Sequence, residues 1–290
     1  MDLSNVITEL AKPAEVGEAD YKKDGVLYCG KCHTPKEKLI KLNGKMTPIK
    51  MPCACEAERN IEESKQRAIE REQKEKEQAK KKHAEYVSEL RYKAFPDQRM
   101  KKWTFESDDR QNAYISDIAQ KYVANFSTML ERGKGLLLYG TVGTGKTFIS
   151  ACIVNALVEE ERTCLMTNFA RLCNTLTGMF DGKQQFIDDL NRCELLVIDD
   201  LASERDTEYM GEIVQNIIDS RYRAELPLIV TTNLTANELK RPTDIRKERI
   251  YSRLFEMCIP IEVKGNDRRK IKLRDETADL KKLLGIKQKV

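Results

Sequence analysis

Between residues 140 and 147 the chain reads Gly140-Thr141-Val142-Gly143-Thr144-Gly145-Lys146-Thr147, which fits the pattern G-x-x-x-x-G-K-[ST]. Glycines in such a loop let backbone N–H groups face a polyphosphate, and a helix opening at the lysine adds its partial positive end. In that arrangement Lys146 reaches the β- and γ-phosphates and the Thr147 hydroxyl ligates magnesium. The bland alternative is a glycine-rich turn with no ligand. The flanks argue against it: Gly135 to Tyr139 is an apolar run of strand length, and Phe148 to Val158 reads as helix.

A second group of polar residues follows. The run Glu194-Leu-Leu-Val-Ile-Asp199-Asp200 reads as a buried strand ending in two carboxylates. Asp199 would hold magnesium directly or through water, and Asp200 would polarise an attacking water. Turns favour Asp, so this pair alone is weak evidence; a phosphate loop upstream gives it meaning. The next strand ends Val230-Thr231-Thr232-Asn233, which places a neutral amide where it could orient water or sense the γ-phosphate; a turn-capping Asn is the alternative. Arg249 and Arg253 lie four apart in Arg249-Ile-Tyr-Ser-Arg253-Leu, on one helix face. Either could enter a neighbouring subunit's site and stabilise charge on the transferred phosphoryl group, or both could be ordinary surface arginines.

The nine cysteines fall into two populations. Cys152, Cys164, Cys173, Cys193 and Cys258 are scattered through apolar sequence and read as core packing. Cys29-Gly-Lys-Cys32 and Cys53-Ala-Cys55 are two close pairs separated by 20 residues in turn-rich sequence. Two such turns brought together make a tetrahedral four-sulfur site suited to zinc, closed and therefore structural. Reduced thiols without metal, or a redox pair, are the alternatives. His33 is a candidate substitute ligand, awkward because it directly follows Cys32. Asn43-Gly44 reads as the turn of a β-hairpin between the two knuckles.

These groups need elements to hold them. A chain of 290 residues suggests one large or two modest domains, and a net charge of +4 is too small to argue for nucleic acid by itself. No apolar run approaches the roughly 20 residues of a membrane span, and the first residues lack the pattern of a secretory signal. A cytoplasmic protein is expected. From Glu56 to Lys93 the composition turns to Glu, Lys, Arg, Gln and Ala without glycine or proline, predicting a solvated spacer helix supported by pairs such as Glu70–Lys74 and Glu77–Lys81. Phe95-Pro96 ends it.

The expected organisation is a zinc-binding domain over 1–55, a helical linker over 56–94, an ATPase domain over 95–275 and a basic tail over 276–290. After the linker, Tyr114 to Leu130 is an amphipathic helix. Strands are predicted at Gly135 to Tyr139, Thr163 to Thr167, Leu195 to Asp199, Leu228 to Thr232 and Cys258 to Val263, alternating with helices as in an α/β fold with a mainly parallel sheet. From Lys264 onward there are ten basic and four acidic residues, an excess that could contact DNA or an acidic partner, or simply be solvated.

In order, Gly-Thr-Val-Gly-Thr-Gly-Lys-Thr, Leu-Leu-Val-Ile-Asp-Asp-Leu, Thr-Thr-Asn and Arg-Ile-x-Ser-Arg-Leu-x-Glu-Met resemble the AAA+ P-loop ATPases, and among them helicase loaders of the DnaC/DnaI type and the related IstB-like proteins. The likeness covers roughly residues 95 to 275, and the cysteine-bearing segment resembles the helicase-binding zinc domain of some loaders. By that resemblance Lys146 and Thr147 look like Walker A, Asp199 and Asp200 like Walker B, and Asn233 like sensor 1. Arg253 looks like the arginine finger, with Arg249 competing, and Arg269 like sensor 2. Many AAA+ proteins carry Glu where this chain has Asp200, which implies slow or partner-dependent hydrolysis. Only 27 residues follow Val263, too few for the multi-helix lid common in the family.

The resemblance implies ATP, Mg2+ and Zn2+ as ligands. It implies a replicative helicase and single-stranded DNA as partners, and self-association into an arc, spiral or ring. A DNA-facing region is expected within Asn168 to Arg192, without a legible stacking platform. The competing readings are an IstB-like transposition helper ATPase and an ATP-binding adaptor with negligible turnover.

Overall fold

The computed structural model describes residues 14–42, 45–201, 208–242, 244–268, 280 and 283–284. The chain divides into two compact units, residues 1–82 and 83–290. Among the described residues no helix is long and apolar enough to cross a membrane.

In the first unit, β1 (Tyr21–Lys23) and β2 (Val26–Tyr28) pair antiparallel, Tyr21 opposite Tyr28. Asp24 and Gly25 join them with φ of 52° and 77°, the left-handed pair that an Asp-Gly hairpin turn uses. A second antiparallel pair, β3 (Glu37–Leu42) and β4 (Lys45–Lys50), is the hairpin expected between the knuckles. Its Asn43-Gly44 turn lies outside the described residues.

Helix α1 (Ala54–Ala94) begins in this unit and is polar for most of its length. Of its exposed ion pairs, Glu63–Arg67, Arg71–Glu75 and Glu72–Lys76 are four-residue contacts worth a few tenths of a kcal/mol each. The expected pairs Glu70–Lys74 and Glu77–Lys81 are not among the ion pairs of the described residues. From His83 the helix belongs to the second unit, where Val87, Ala94 and Phe95 are buried. Composition masks this change, because the few apolar residues that dock the last turns sit among charges.

Among the described residues the second unit is built on five strands: β5 (Gly135–Tyr139), β6 (Cys164–Asn168), β7 (Leu195–Leu201), β8 (Leu228–Thr232) and β9 (Cys258–Glu262). Their order is β6-β7-β8-β5-β9, with every pairing parallel. Side chains alternate between two cores: Leu136, Leu138, Val197 and Ile229 enter one, and Leu137, Leu196, Ile198 and Val230 the other. Burial on both faces explains why these strands read as continuous apolar runs.

The expected helix from Tyr114 to Leu130 is in fact two, α2 (Ala113–Ala124) and α3 (Phe126–Glu131). The break falls at Asn125, whose side chain donates to Lys121 O at 2.8 Å, the local competition that makes Asn a poor interior helix residue. Helix α4 (Lys146–Glu159) follows β5 and is buried nearly all round. Helices α5 (Phe169–Gly178), α6 (Lys183–Leu190), α7 (Glu208–Arg223), α8 (Ala236–Lys240) and α9 (Ile245–Met257) follow in the unit. Cys152, Cys164, Cys173 and Cys258 are buried and Cys193 partly so, as core packing requires; burial pushes the Cys152 thiol up to about 12.

Arg221 of α7 is wholly buried, with no carboxylate paired to it among the described residues. Its guanidinium donates instead to the carbonyls of Leu190, Cys193, Glu194 and Pro227, tying the end of α6 to the starts of β7 and β8.

Candidate functional site

The loop from Gly140 to Gly145 joins the carboxyl end of β5 to α4, at the point where the sheet's order turns back on itself, the usual place for a ligand in an open α/β sheet. Gly143 and Gly145 have φ of 79° and 96°, and a Cβ on Gly143 would lie 2.0 Å from Asp267 Oδ1. Those positions need glycine for conformation and for space. Lys146 is 5% exposed, and its Nζ donates to Gly140 O and Thr141 O at 2.8 Å each. Its ammonium therefore lies inside the curve of the loop.

The strand carrying the carboxylates lies two places away, beyond β8. Thr147 Oγ1 donates to Asp199 Oδ1 at 2.9 Å, so the two expected magnesium ligands meet although 52 residues separate them. Thr231 Oγ1 donates to the same Asp199 oxygen at 2.6 Å and accepts from Asp200 N at 2.9 Å. One hydroxyl of β8 thus holds the Asp199 carboxylate and the Asp200 backbone. Burial pushes the Asp199 carboxyl up, against the Thr231 bond that draws it down; the adjoining Asp200 charge adds to the rise.

Asp200 adopts φ of 55°, and the β7–β8 register shifts between Ile198 and Leu201. A bulge of this kind re-aims the side chain it carries. Asn233 Nδ2 reaches Asp200 Oδ1 at 3.4 Å, a long contact that brings the expected sensor amide and water-polarising carboxylate together.

A cavity of about 340 Å³ opens beside the loop, and Lys146, Thr147, Asp200 and Asn233 line it. Arg268, Trp103 and Phe148 line it too, and the motif reading assigns none of them. Arg268 N donates to Gly143 O at 3.0 Å and its guanidinium pairs with Asp109 at 3.1 Å. Arg269, the residue expected in this role, lies outside the described residues. The two arginines are adjacent in sequence.

In the first unit the Sγ atoms of Cys29, Cys32, Cys53 and Cys55 all lie within 4.8 Å of one another. Cys55 is 3.8 Å from Cys29, 3.6 Å from Cys32 and 3.4 Å from Cys53. A tetrahedral zinc with Zn–S of about 2.3 Å spaces its sulfurs about 3.8 Å apart, so the donor set fits zinc. The Thr34 hydroxyl beside Cys32, with backbone N–H groups, brings that thiol down to about 5, and backbone N–H groups lower Cys29. Cys55 is pushed up to about 12 by the sulfurs of Cys53, Cys32 and Cys29 around it. Four thiolates at this spacing call for a cation. His33 is no part of the cluster: it is exposed, with Nδ1 facing the Tyr21 hydroxyl at 3.4 Å.

The family described as IstB-like ATP binding protein matches residues 51–276, more than three quarters of the chain. The chain belongs to that family. Among curated relatives, the replicative helicase loader DnaI of Bacillus subtilis is 26% identical over 150 residues, 48% of each chain. The replicative helicase loader DnaC of Escherichia coli is 26% identical over 153 residues, 51% of this chain and 59% of that one. This IstB-like chain thus spans about half the length of the curated relatives it matches. Crystal structures of DnaI and of the DnaC helicase loader superpose with a TM-score of 0.51 each at 24% identity, covering 60% and 58% of this chain and 95% and 100% of theirs. The parallel five-stranded unit has the AAA+ fold expected from the sequence.

The two arginines of α9 differ in their surroundings in this IstB-like unit. Arg253 is paired with Asp219 of α7 and stands 6.0 Å from the Tyr222 ring. Arg249, one turn earlier, is exposed and makes no ion pair among the described residues. Spacing alone made them equivalent; the packing of α7 against α9 separates them. In the expected DNA-facing region Phe169 is buried, whereas Phe180, between α5 and α6, is wholly exposed.

Proposed function

We propose that this chain is an ATP-driven helicase loader: it binds a replicative helicase, delivers it to single-stranded DNA, and uses ATP hydrolysis as the switch for release in the bacterial cytoplasm. The observation that carries the reading is the meeting of Thr147 and Asp199 at 2.9 Å beside Lys146, in a chain of an ATP-binding family. The names of DnaI and DnaC supply the helicase.

The residues divide the work. Loop N–H groups and Lys146 hold the β- and γ-phosphates. Thr147 and Asp199 are oxygen donors of the kind a magnesium ion takes, and that ion, when bound, neutralises charge on the phosphates. Asp200 accepts a proton from the attacking water, with Asn233 orienting that water. Arg268, which lines the cavity, follows the phosphates from the carboxyl-terminal side, and Arg269 is the sensor residue that the resemblance implies. Arg253 serves the next subunit's site once it leaves Asp219, and Arg249 is the exposed competitor. Neighbouring units joined in this way form an arc, spiral or ring. The four cysteines hold zinc as a structural ion, and their unit grips the helicase. Phe180 is an exposed aromatic available for stacking on an unpaired base.

The test is ATP turnover by the full chain, alone and with single-stranded DNA plus a replicative helicase, with Lys146→Ala as control. Turnover that rises with both partners and vanishes in the variant is expected. Tight ATP binding without turnover under every condition would leave an adaptor that nucleotide merely stabilises, and stimulation by a transposase instead of a helicase would favour the transposition reading.

A further inference from the structure

Phosphate chemistry uses the polar lining of the cavity and leaves two aromatic side chains there without a task. Trp103 and Phe148 face each other with ring centroids 6.0 Å apart and planes inclined at 48°, both half-buried. Phe148 immediately follows Thr147, so its place is set by the same helix start that presents the phosphate donors. Trp103 comes from a different part of the chain, the short 3₁₀ segment Gln98–Lys102 and its cap.

A buried amide holds that segment in place. Asn155 is 2% exposed and lies on α4 beyond the phosphate loop. Its Nδ2 donates to Met100 O and to Trp103 O at 2.9 Å each, as well as to Ala151 O. A single helix therefore carries the lysine, the hydroxyl and the clamp that positions the indole. Buried side-chain amides are retained where their bonds fix a backbone, and here the backbone they fix bears a large flat ring on the wall of the nucleotide cavity.

We propose that Trp103, packed on Phe148 and positioned by Asn155, is the platform on which the base of the bound nucleoside triphosphate stacks. The proposal rests on the ATP-binding reading above and adds to it the surface that recognises the base. An indole offers a π-face and no hydrogen-bond pattern matched to one base edge, so the platform favours large bases over small ones and treats adenine and guanine alike. Asn155 touches no ligand and acts through Trp103; it is a positioning residue.

The chain contains one tryptophan, so its intrinsic emission reports on this position alone. The full-length protein is titrated with ATP, GTP and UTP and with inorganic tripolyphosphate, which has no base. Tryptophan emission and equilibrium dialysis are both read. ATP and GTP are expected to quench the emission, and tripolyphosphate at saturation to leave it nearly unchanged. Trp103→Ala is expected to weaken ATP and GTP about tenfold, equivalent to about 1.4 kcal/mol, while tripolyphosphate affinity stays the same. Trp103→Phe restores most of the loss, and Asn155→Ala reproduces part of it with the ring still present.

Equal ATP affinity in wild type and Trp103→Ala overturns the platform. If that variant does not fold, the wild type decides: dialysis showing bound ATP with no change in emission, or tripolyphosphate quenching as strongly as ATP, overturns it equally. The loader reading fails separately, by absent stimulation with helicase and single-stranded DNA while ATP still quenches. A wild-type chain that binds no nucleotide in dialysis removes both.

Discussion

The four-sulfur cluster and the phosphate-loop site each gather charge that the protein alone accommodates badly, and they do so by opposite means. The cluster takes its ligands from two short knuckles, with the helix that begins at Ala54 starting on it. The phosphate site takes Lys146 and Thr147 from one strand-to-helix junction and Asp199, Asp200 and Asn233 from strands far along the sequence. In the first, Cys55 is pushed up to about 12 by its sulfur neighbours; in the second, burial raises Asp199. Each also has a threonine behind it. Thr34 accepts from Ala54 N at 2.9 Å and touches Cys32, and Thr231 joins Asp199 to Asp200. On the proposed reading, a closed set of identical donors serves structure, while a graded set with room beside it serves turnover.

The sharpest way to break the comparison is to remove one sulfur. Cys53→Ser should lower bound metal from about one ion per chain to near zero in atomic emission and expose the first unit to protease, with ATP affinity held within about threefold. A collapse of ATP affinity would show that the sites are not independent. Asp200→Asn comes next: turnover should fall about 100-fold or more while ATP still binds, measured by single-turnover hydrolysis beside equilibrium dialysis.

Asp199→Asn separates stability from activity. Burial raises this carboxyl, so its proton is held more tightly in the fold than in the unfolded chain, and stability falls as pH rises from the usual carboxylate value of 3.8 through the raised one. In chelator, at pH 7.5, the variant should therefore melt higher than wild type, by about 2–4 °C for each 1 kcal/mol gained, with the gap closing toward pH 4 and turnover absent. The smallest effects belong to the two threonines. Thr231→Val should slow turnover about tenfold without touching metal content, and Thr34→Val should lose about 1 kcal/mol of capping from the first unit alone, read by its proteolysis rate.

Legibility in the sequence followed locality. The eight residues from Gly140 to Thr147 contain the loop, its glycines and its helix start in one segment, and the cysteine pairs carry their spacing within themselves. Both were readable before any fold was known, as were the apolar strands buried on two faces. Trp103 was not, because its place depends on an amide 52 residues away. Nor was the bracing by Thr231, since parallel pairing of β7 and β8 sets which hydroxyl meets which carboxylate. Asn125 broke a helix whose apolar spacing ran on through it. The contrast between Arg249 and Arg253 came from Asp219, on a helix whose contact with theirs no periodicity announces.

The left-handed turn of the backbone at Asp200 bears on how this family can diversify. Asp and Asn are among the non-glycine residues that accept such a conformation most readily. Exchanging the charged residue for its amide would thus leave the bulge undisturbed while silencing the chemistry. On the proposed reading, a timer that consumes its nucleotide and a clamp that only holds it stand one substitution apart.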